Sequence, residues 1–259
     1  MTDFAALGLS DRILTLLAEV GHSQPTPIQA QAIPLLKAGR DVMGLAQTGT
    51  GKTLAFGLPM IERLAQMRGR PPMATARALI LAPTRELAKQ IDAALLPFIK
   101  GTPMNLVTVT GGASINVQTN KLRRGVDVLI ATPGRLIDLL DRNAVRIDEV
   151  GMLVLDEADQ MLDLGFIHAL RRIARHLPQG RQTMLFSATM PKQMAEVAET
   201  YLRNPARVEA SPPGKAAEKI DQAVHFCGRT EKARLLENYL DSHRADRALV
   251  FTRTKHGAE

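Results

Sequence analysis

The chain has 259 residues, enough for one large domain, or for one domain and part of another. Apolar residues make up 45% and aromatic residues only 3%, with no Trp, so any core must be built from Leu, Ile, Val, Ala and Met, the palette of a parallel sheet buried under helices. A formal charge of +7 favours a polyanionic partner; a lone Cys227 excludes an internal disulfide and a cysteine zinc site, and no run of about 18 apolar residues offers a membrane span.

Taken in order, short apolar runs alternate with longer segments of helical period. The pattern predicts strands at Asp41–Ala46, Ala78–Ala82, Leu106–Thr110, Asp127–Ala131, Met152–Asp156 and Thr183–Ser187. Helices are predicted between them at Leu54–Met67, Leu87–Ile99, Arg135–Asp141, Phe166–His176 and Lys192–Leu202, where apolar residues recur at three and four. Strand and helix in alternation predict an α/β domain with a parallel sheet over residues 1–210. Turn formers then cluster at Ser211-Pro212-Pro213-Gly214-Lys215, which marks a linker over 211–218. Beyond it, a strand at Asp221–Phe226, a helix at Thr230–Ser242 and a strand at Ala248–Phe251 predict one strand-helix-strand unit in residues 219–259. A unit of about 45 residues rarely holds a core unaided. Loose order or packing on a second copy is therefore expected of it.

Three segments carry chemistry. Ala46-Gln47-Thr48-Gly49-Thr50-Gly51-Lys52-Thr53 follows a predicted strand and precedes a helix. Small residues there let backbone N–H groups surround phosphate oxygens, at the positive end of the helix. Lys52 would reach the β- and γ-phosphates and Thr53 would offer its hydroxyl to Mg²⁺. Ala46 stands where the strict pattern begins with Gly, while the tight part, Gly49 to Lys52, is intact. The second segment, Asp156-Glu157-Ala158-Asp159, ends the apolar run from Met152. Strand tips in a parallel sheet face a common crevice, so Asp156 is assigned to Mg²⁺ and Glu157 to the attacking water, also within reach of the metal. In the third, Thr26-Pro27-Ile28-Gln29, the Gln29 amide has the donor and acceptor to read adenine, and Phe4 upstream offers a ring to stack on the base. Thr26 and Pro27 equally read as the start of a helix.

These segments, together with Pro83-Thr84-Arg85-Glu86-Leu87-Ala88, Gly111-Gly112, Thr132-Pro133-Gly134-Arg135 and Ser187-Ala188-Thr189, resemble in their order the motifs of DEAD-box RNA helicases from Phe4 to Thr189. The stretch 156–167 and the closing Val250-Phe251-Thr252-Arg253-Thr254-Lys255 are most similar to the bacterial RhlE-type subgroup. The resemblance implies a RecA-like ATP-binding domain using ATP and Mg²⁺, followed by the start of a second such domain. It also implies a cytoplasmic protein whose partner is single-stranded or duplex RNA, unwound at the cost of ATP. By the same resemblance Pro83, Thr84, Arg85, Gly111, Gly112, Thr132, Pro133, Gly134 and Arg135 contact the RNA backbone, while Asp159, Ser187, Ala188 and Thr189 couple nucleotide state to unwinding. Helix capping is the plainer reading of Thr84 and Thr132. The family's catalytic arginines come from the second domain, so residues 1–259 alone are expected to bind nucleotide but hydrolyse it poorly. An RNA clamp with little turnover is the alternative reading.

Overall fold

The structure, a computed structural model, describes residues 3–209, 223–228, 230–244 and 247–252. The chain divides into two units, Met1–Gly214 and Lys215–Glu259. In the first, a 3-10 turn (Ala5–Leu7) and helices α1 (Asp11–Glu19) and α2 (Pro27–Lys37) precede a regular alternation. Strand β1 (Val42–Leu45) leads to α3 (Lys52–Ala65), β2 (Ala76–Leu81) to α4 (Arg85–Ile99), and β3 (Leu106–Val109) to α5 (Ile115–Leu122). Strand β4 (Val126–Ala131) leads to α6 (Pro133–Asp141) and β5 (Met152–Leu155) to α7 (Ala158–Asp163) and α8 (Ile167–Ala174). Strand β6 (Gln182–Ser187), α9 (Lys192–Tyr201) and β7 (Ala206–Glu209) complete the unit.

The seven strands form one sheet in the order β3-β4-β2-β5-β6-β1-β7, and every pairing is parallel. Parallel strands require crossover helices, and these cover both faces. Alternate residues therefore serve opposite cores. Ala78 and Ile80 of β2 with Val154 of β5 join one apolar cluster with α1 to α4, while Leu79, Leu81, Leu153 and Leu155 join the other with α6 to α9. The six predicted strands and five predicted helices are all present, with ends shifted by one or two residues. Strand β7 and helices α1, α5 and α7 are additions to that reading.

One consequence of an all-parallel sheet governs everything below. Every loop leaving a strand lies along one edge, and every loop entering a strand lies along the other. Two buried carboxylates brace the entering edge. Asp41 accepts hydrogen bonds from the backbone N–H groups of Thr183 (2.8 Å) and Arg203 (2.7 Å), which ties the start of β1 to β6 and to the approach of β7. Asp127 accepts from Arg77 (3.0 Å) and from Asn105 N (3.0 Å).

In the second unit, helix α10 (Lys232–Ser242) matches the predicted helix. The strands expected on either side are not formed in 223–228 or 247–252; Asp221 and Gln222 and the linker 211–218 lie outside the described residues. An isolated strand has no ladder to satisfy its N–H and C=O groups, and among the described residues of this unit no strand pairs with another. No residue of α10 is buried, and Phe226 and Phe251 are largely exposed.

Candidate active site

The loop from 46 to 51 joins the end of β1 to the start of α3, at the leaving edge. Ala46 is buried and its N–H donates to Ser187 O (3.0 Å), so it extends the β1–β6 ladder. That position lies ahead of the tight turn, which explains why a methyl group is tolerated where the strict pattern has Gly. Gly51 caps α3 at φ 91°, a left-handed conformation that a side chain strongly disfavours. A Cβ there would also lie 2.6 Å from Gln29 Nε2.

Gln29 sits in the first turn of α2 and is almost fully buried. Its Nε2 donates to Gly51 O (3.0 Å) and its Oε1 accepts from Thr26 N (2.9 Å). Here the Gln29 amide couples the beginning of α2 to the phosphate loop. One N–H and one lone pair of the amide remain for a base. Phe4, expected to stack on a base, packs into the core. Its ring is 3% exposed and belongs to the apolar cluster beneath α1 and α2, so it offers packing to the core and no open face for stacking.

Lys52, Asp156 and Glu157 converge at the leaving edge. Lys52 Nζ lies 3.8 Å from Asp156 Oδ1 and 4.0 Å from Glu157 Oε1, and donates to Ala46 O at 3.2 Å. The ion pairs are longer than direct hydrogen bonds, which leaves the ammonium able to take phosphate oxygens. Burial pushes the Asp156 carboxyl up to about 6; Lys52 pulls it down and Glu157 raises it further. Glu157 accepts from Thr48 Oγ1 (2.8 Å), so the acid and the phosphate loop are joined directly. It also adopts φ 52°, ψ 52°, a left-handed conformation that costs a non-glycine residue on the order of 1–2 kcal/mol. Such backbone strain concentrates at functional positions.

Asp159, in the first turn of α7, accepts from both Thr189 N and Thr189 Oγ1 at 2.9 Å. Ser187, fully buried at the tip of β6, donates from Oγ to Thr189 O (2.7 Å). The acidic strand end and the Ser187–Thr189 segment are thus one hydrogen-bonded unit, with Ala188 between them.

A second, open depression of about 490 Å³ lies on the same edge, lined by Pro83, Thr84, Arg85, Gly111, Thr132, Gly134 and Arg135 among others. Seven of the nine residues that the resemblance assigns to RNA therefore meet in one groove. Gly112 does not line it, but at φ 79° it passes so close to Arg85 that a Cβ would lie 1.9 Å from Nη1. Pro133, the first residue of α6, is buried behind the groove. Thr84 caps α4, its Oγ1 accepting from Leu87 N (3.1 Å), whereas Thr132 makes no side-chain cap bond and keeps its hydroxyl for other use. Arg135 donates to Ala113 O (3.0 Å). Glu86, Asp138 and Phe166 also line the groove and were given no role from the sequence. Asp138 could have been found, since it lies three residues after Arg135 on a helix and pairs with it at 3.8 Å.

A parallel sheet flanked by helices, with a phosphate loop facing an acidic strand end, defines a P-loop domain of the RecA-like class. Comparison with known proteins carries this further. A family model described as DEAD/DEAH box helicase matches residues 26–197, and the chain belongs to that family. It is 42% identical over 256 residues to RNA helicase CrhR of Synechocystis sp. (strain ATCC 27184 / PCC 6803 / Kazusa), covering 98% of this chain and 51% of that protein. Among solved structures it is similar to a DEAD box protein from Methanococcus jannaschii (TM-score 0.75, 31% identity, 93% of this chain and 63% of that one). It is also similar to a hypothetical ATP-dependent RNA helicase from Sulfolobus tokodaii (TM-score 0.70, 30% identity, 78% of this chain and 57% of that one). The chain thus spans about half the length of the curated relative.

Proposed function

We propose that this chain is the nucleotide-binding half of an ATP-dependent RNA helicase, in which ATP binding and hydrolysis drive local unwinding of RNA duplexes. The observation that carries the reading is the convergence of Lys52, Asp156 and Glu157 within 4.0 Å at the mouth of the phosphate loop. Lys52 binds the terminal phosphates, the loop N–H groups hold the chain of phosphates, and Glu157 orients and deprotonates the attacking water. Among the described residues no group of three or more His, Cys, Asp or Glu could hold a metal alone. Two carboxylates and the Thr53 hydroxyl fit a hard cation such as Mg²⁺, which keeps waters and completes its shell with phosphate. Bound there it would neutralise charge on the transferring phosphoryl group. A buried carboxyl such as Asp156, reluctant to ionise by itself, gains most from a neighbouring dication.

The groove along Thr84, Arg85, Thr132 and Arg135 grips the sugar-phosphate backbone of single-stranded RNA, and the Asp159–Thr189 hydrogen bonds transmit nucleotide state toward it. The agreement at 156–167 supports a bacterial RhlE-type protein acting in the cytoplasm. Residues 1–259 alone bind nucleotide and turn it over slowly, because phosphoryl transfer in such enzymes gains about 10³–10⁵ from an arginine finger. The cation paired with the two acids here is a lysine.

Titration of a fluorescent adenine nucleotide with Mg²⁺ into residues 1–259 tests this. Binding is expected, and Lys52→Ala should weaken it by about 10- to 100-fold, the worth of one or more charge-assisted hydrogen bonds. Absence of binding by the unaltered protein would refute the reading.

A further inference from the structure

The net charge of +7 is distributed along the sheet in a way that the active site does not use. The six loops that leave β1 to β6 form the nucleotide edge, and they contain no Lys or Arg and two acids, Asp156 and Glu157. The seven loops that enter β1 to β7, on the opposite edge, contain eleven Lys or Arg and three Asp or Glu. One of those three, Asp41, is buried and already hydrogen-bonded to backbone N–H groups. A surplus of eight positive charges therefore lies on the edge farthest from the phosphate loop.

The surplus is also shaped. Two concavities open among the elements around this edge, at its two ends. One, of about 560 Å³, is lined by Arg12, Arg70, Arg77 and Arg124 around the loops that enter β2, β3 and β4. The other, of about 580 Å³, is lined by Arg171, Arg175, Arg181 and Arg203 around the approaches to β6 and β7. Some of these arginines are fixed by the fold. Arg77 donates to Asp127 and to two backbone carbonyls, and Arg181 to Pro178 O and Tyr201 O. Others are held by nothing: Arg70, Arg124, Arg175 and Arg203 are exposed, and their side chains make no hydrogen bond or ion pair among the described residues. Keeping so many like charges on one edge destabilises the compact state through mutual repulsion, a cost that a polyanion would relieve.

We propose that this strand-entering edge is a second nucleic-acid contact surface, which holds the phosphate backbone of RNA without reading its sequence, independently of the groove at the nucleotide edge. The charge extends across the sheet instead of filling one pocket. Seven strands spaced about 4.8 Å apart carry it over roughly 29 Å. A phosphate backbone supplies a line of charge of that length, and releasing its counterions supplies the affinity. A short acidic peptide would match one concavity but leave the rest of the edge unanswered. A contact of this kind keeps the protein on an RNA while the groove opens and closes on individual segments.

The test uses residues 1–259 with the four unattached arginines replaced together by glutamine (Arg70→Gln, Arg124→Gln, Arg175→Gln, Arg203→Gln). A homopolymeric uridylate strand is titrated without nucleotide over a series of salt concentrations. An unchanged circular dichroism spectrum and melting temperature of the same variant report that the fold is intact. The unaltered chain should bind with a steep salt dependence. The variant should bind at least tenfold more weakly, its slope of log affinity against log salt falling by up to about 3, close to 0.7 for each phosphate that is no longer neutralised. The four corresponding Arg→Lys replacements should retain both affinity and slope. An unchanged affinity and slope in the glutamine variant would overturn the proposal. So would a polyglutamate of equal charge that competes as well as RNA, since the edge would then be a protein-docking surface. None of these readouts depends on ATP turnover, so failure here is separable from failure of the helicase reading.

Discussion

The proposed nucleotide site and the neighbouring groove share one edge of one sheet but are built on opposite principles. Lys52, Asp156, Gln29 and Ser187 are all nearly or fully buried, and Thr48, Glu157, Gly51 and Thr189 join them through direct hydrogen bonds and ion pairs. The groove is open, and its arginines are held at only a few points. Phosphoryl transfer requires charges preset before the substrate arrives, because preorganised groups need no rearrangement as charge develops. Gripping a flexible backbone needs hydroxyls and guanidinium groups that can adjust. Changes on the first side should therefore damage nucleotide chemistry, and changes on the second should leave it intact.

The largest effect is expected from Glu157→Gln, measured as ATP hydrolysis in a protein carrying both RecA-like domains. Loss of the proposed base should lower turnover by about 10²–10⁴-fold, the usual worth of a positioned general base. Nucleotide affinity should stay within a few-fold, because Thr48 can still donate to the amide oxygen. Equal losses in affinity and turnover would show that Glu157 mainly holds the loop.

Next comes Gly51→Ala. It forces a side chain into a left-handed conformation at φ 91° and places a methyl group 2.6 Å from Gln29 Nε2. The conformational cost alone is about 1–2 kcal/mol. Displacing Gln29 would also uncouple α2 from the loop, so adenine nucleotide affinity should fall by about tenfold or more. A crystal structure of the variant with the Gln29–Gly51 hydrogen bond unchanged, and with normal affinity, would contradict the assigned role of that contact.

These two residues also illustrate what was legible in advance. Gly51 and Glu157 stand inside short patterns whose spacing is itself the chemistry, so the phosphate loop and the acidic strand end could be placed from the sequence. Five of the six predicted strands are apolar runs buried on both faces, which is a strong signal, while β3 at the sheet edge is only partly buried. Strand β7 left little trace, because it has four residues and includes the exposed Arg207 and Glu209. Helix α7 has six residues and begins within the acidic motif, too short for a period to register. Phe4 was ambiguous, because one aromatic residue near the start of a chain looks the same whether it stacks on a base or fills a core, and in the structure it packs into the core. Those contacts lie between segments far apart in sequence, as do Gln29 to Gly51 and Asp159 to Thr189. The charge asymmetry of the two edges was present in the sequence, but it becomes visible only when every strand is known to run the same way.

The smallest effect belongs to the groove. Thr84 caps α4 through Leu87 N, and removing such a cap costs about 1 kcal/mol. Thr84→Ala should therefore lower the melting temperature by about 2–4 °C while leaving nucleotide affinity unchanged. Thr84→Ser separates the cap from the ligand contact, because serine restores the Leu87 bond and keeps a hydroxyl for RNA. Full recovery of both stability and RNA affinity in the serine variant assigns both roles to the one oxygen. Recovery of stability with RNA affinity still reduced assigns the RNA contact to the threonine methyl group, and the hydroxyl would then belong to the helix alone.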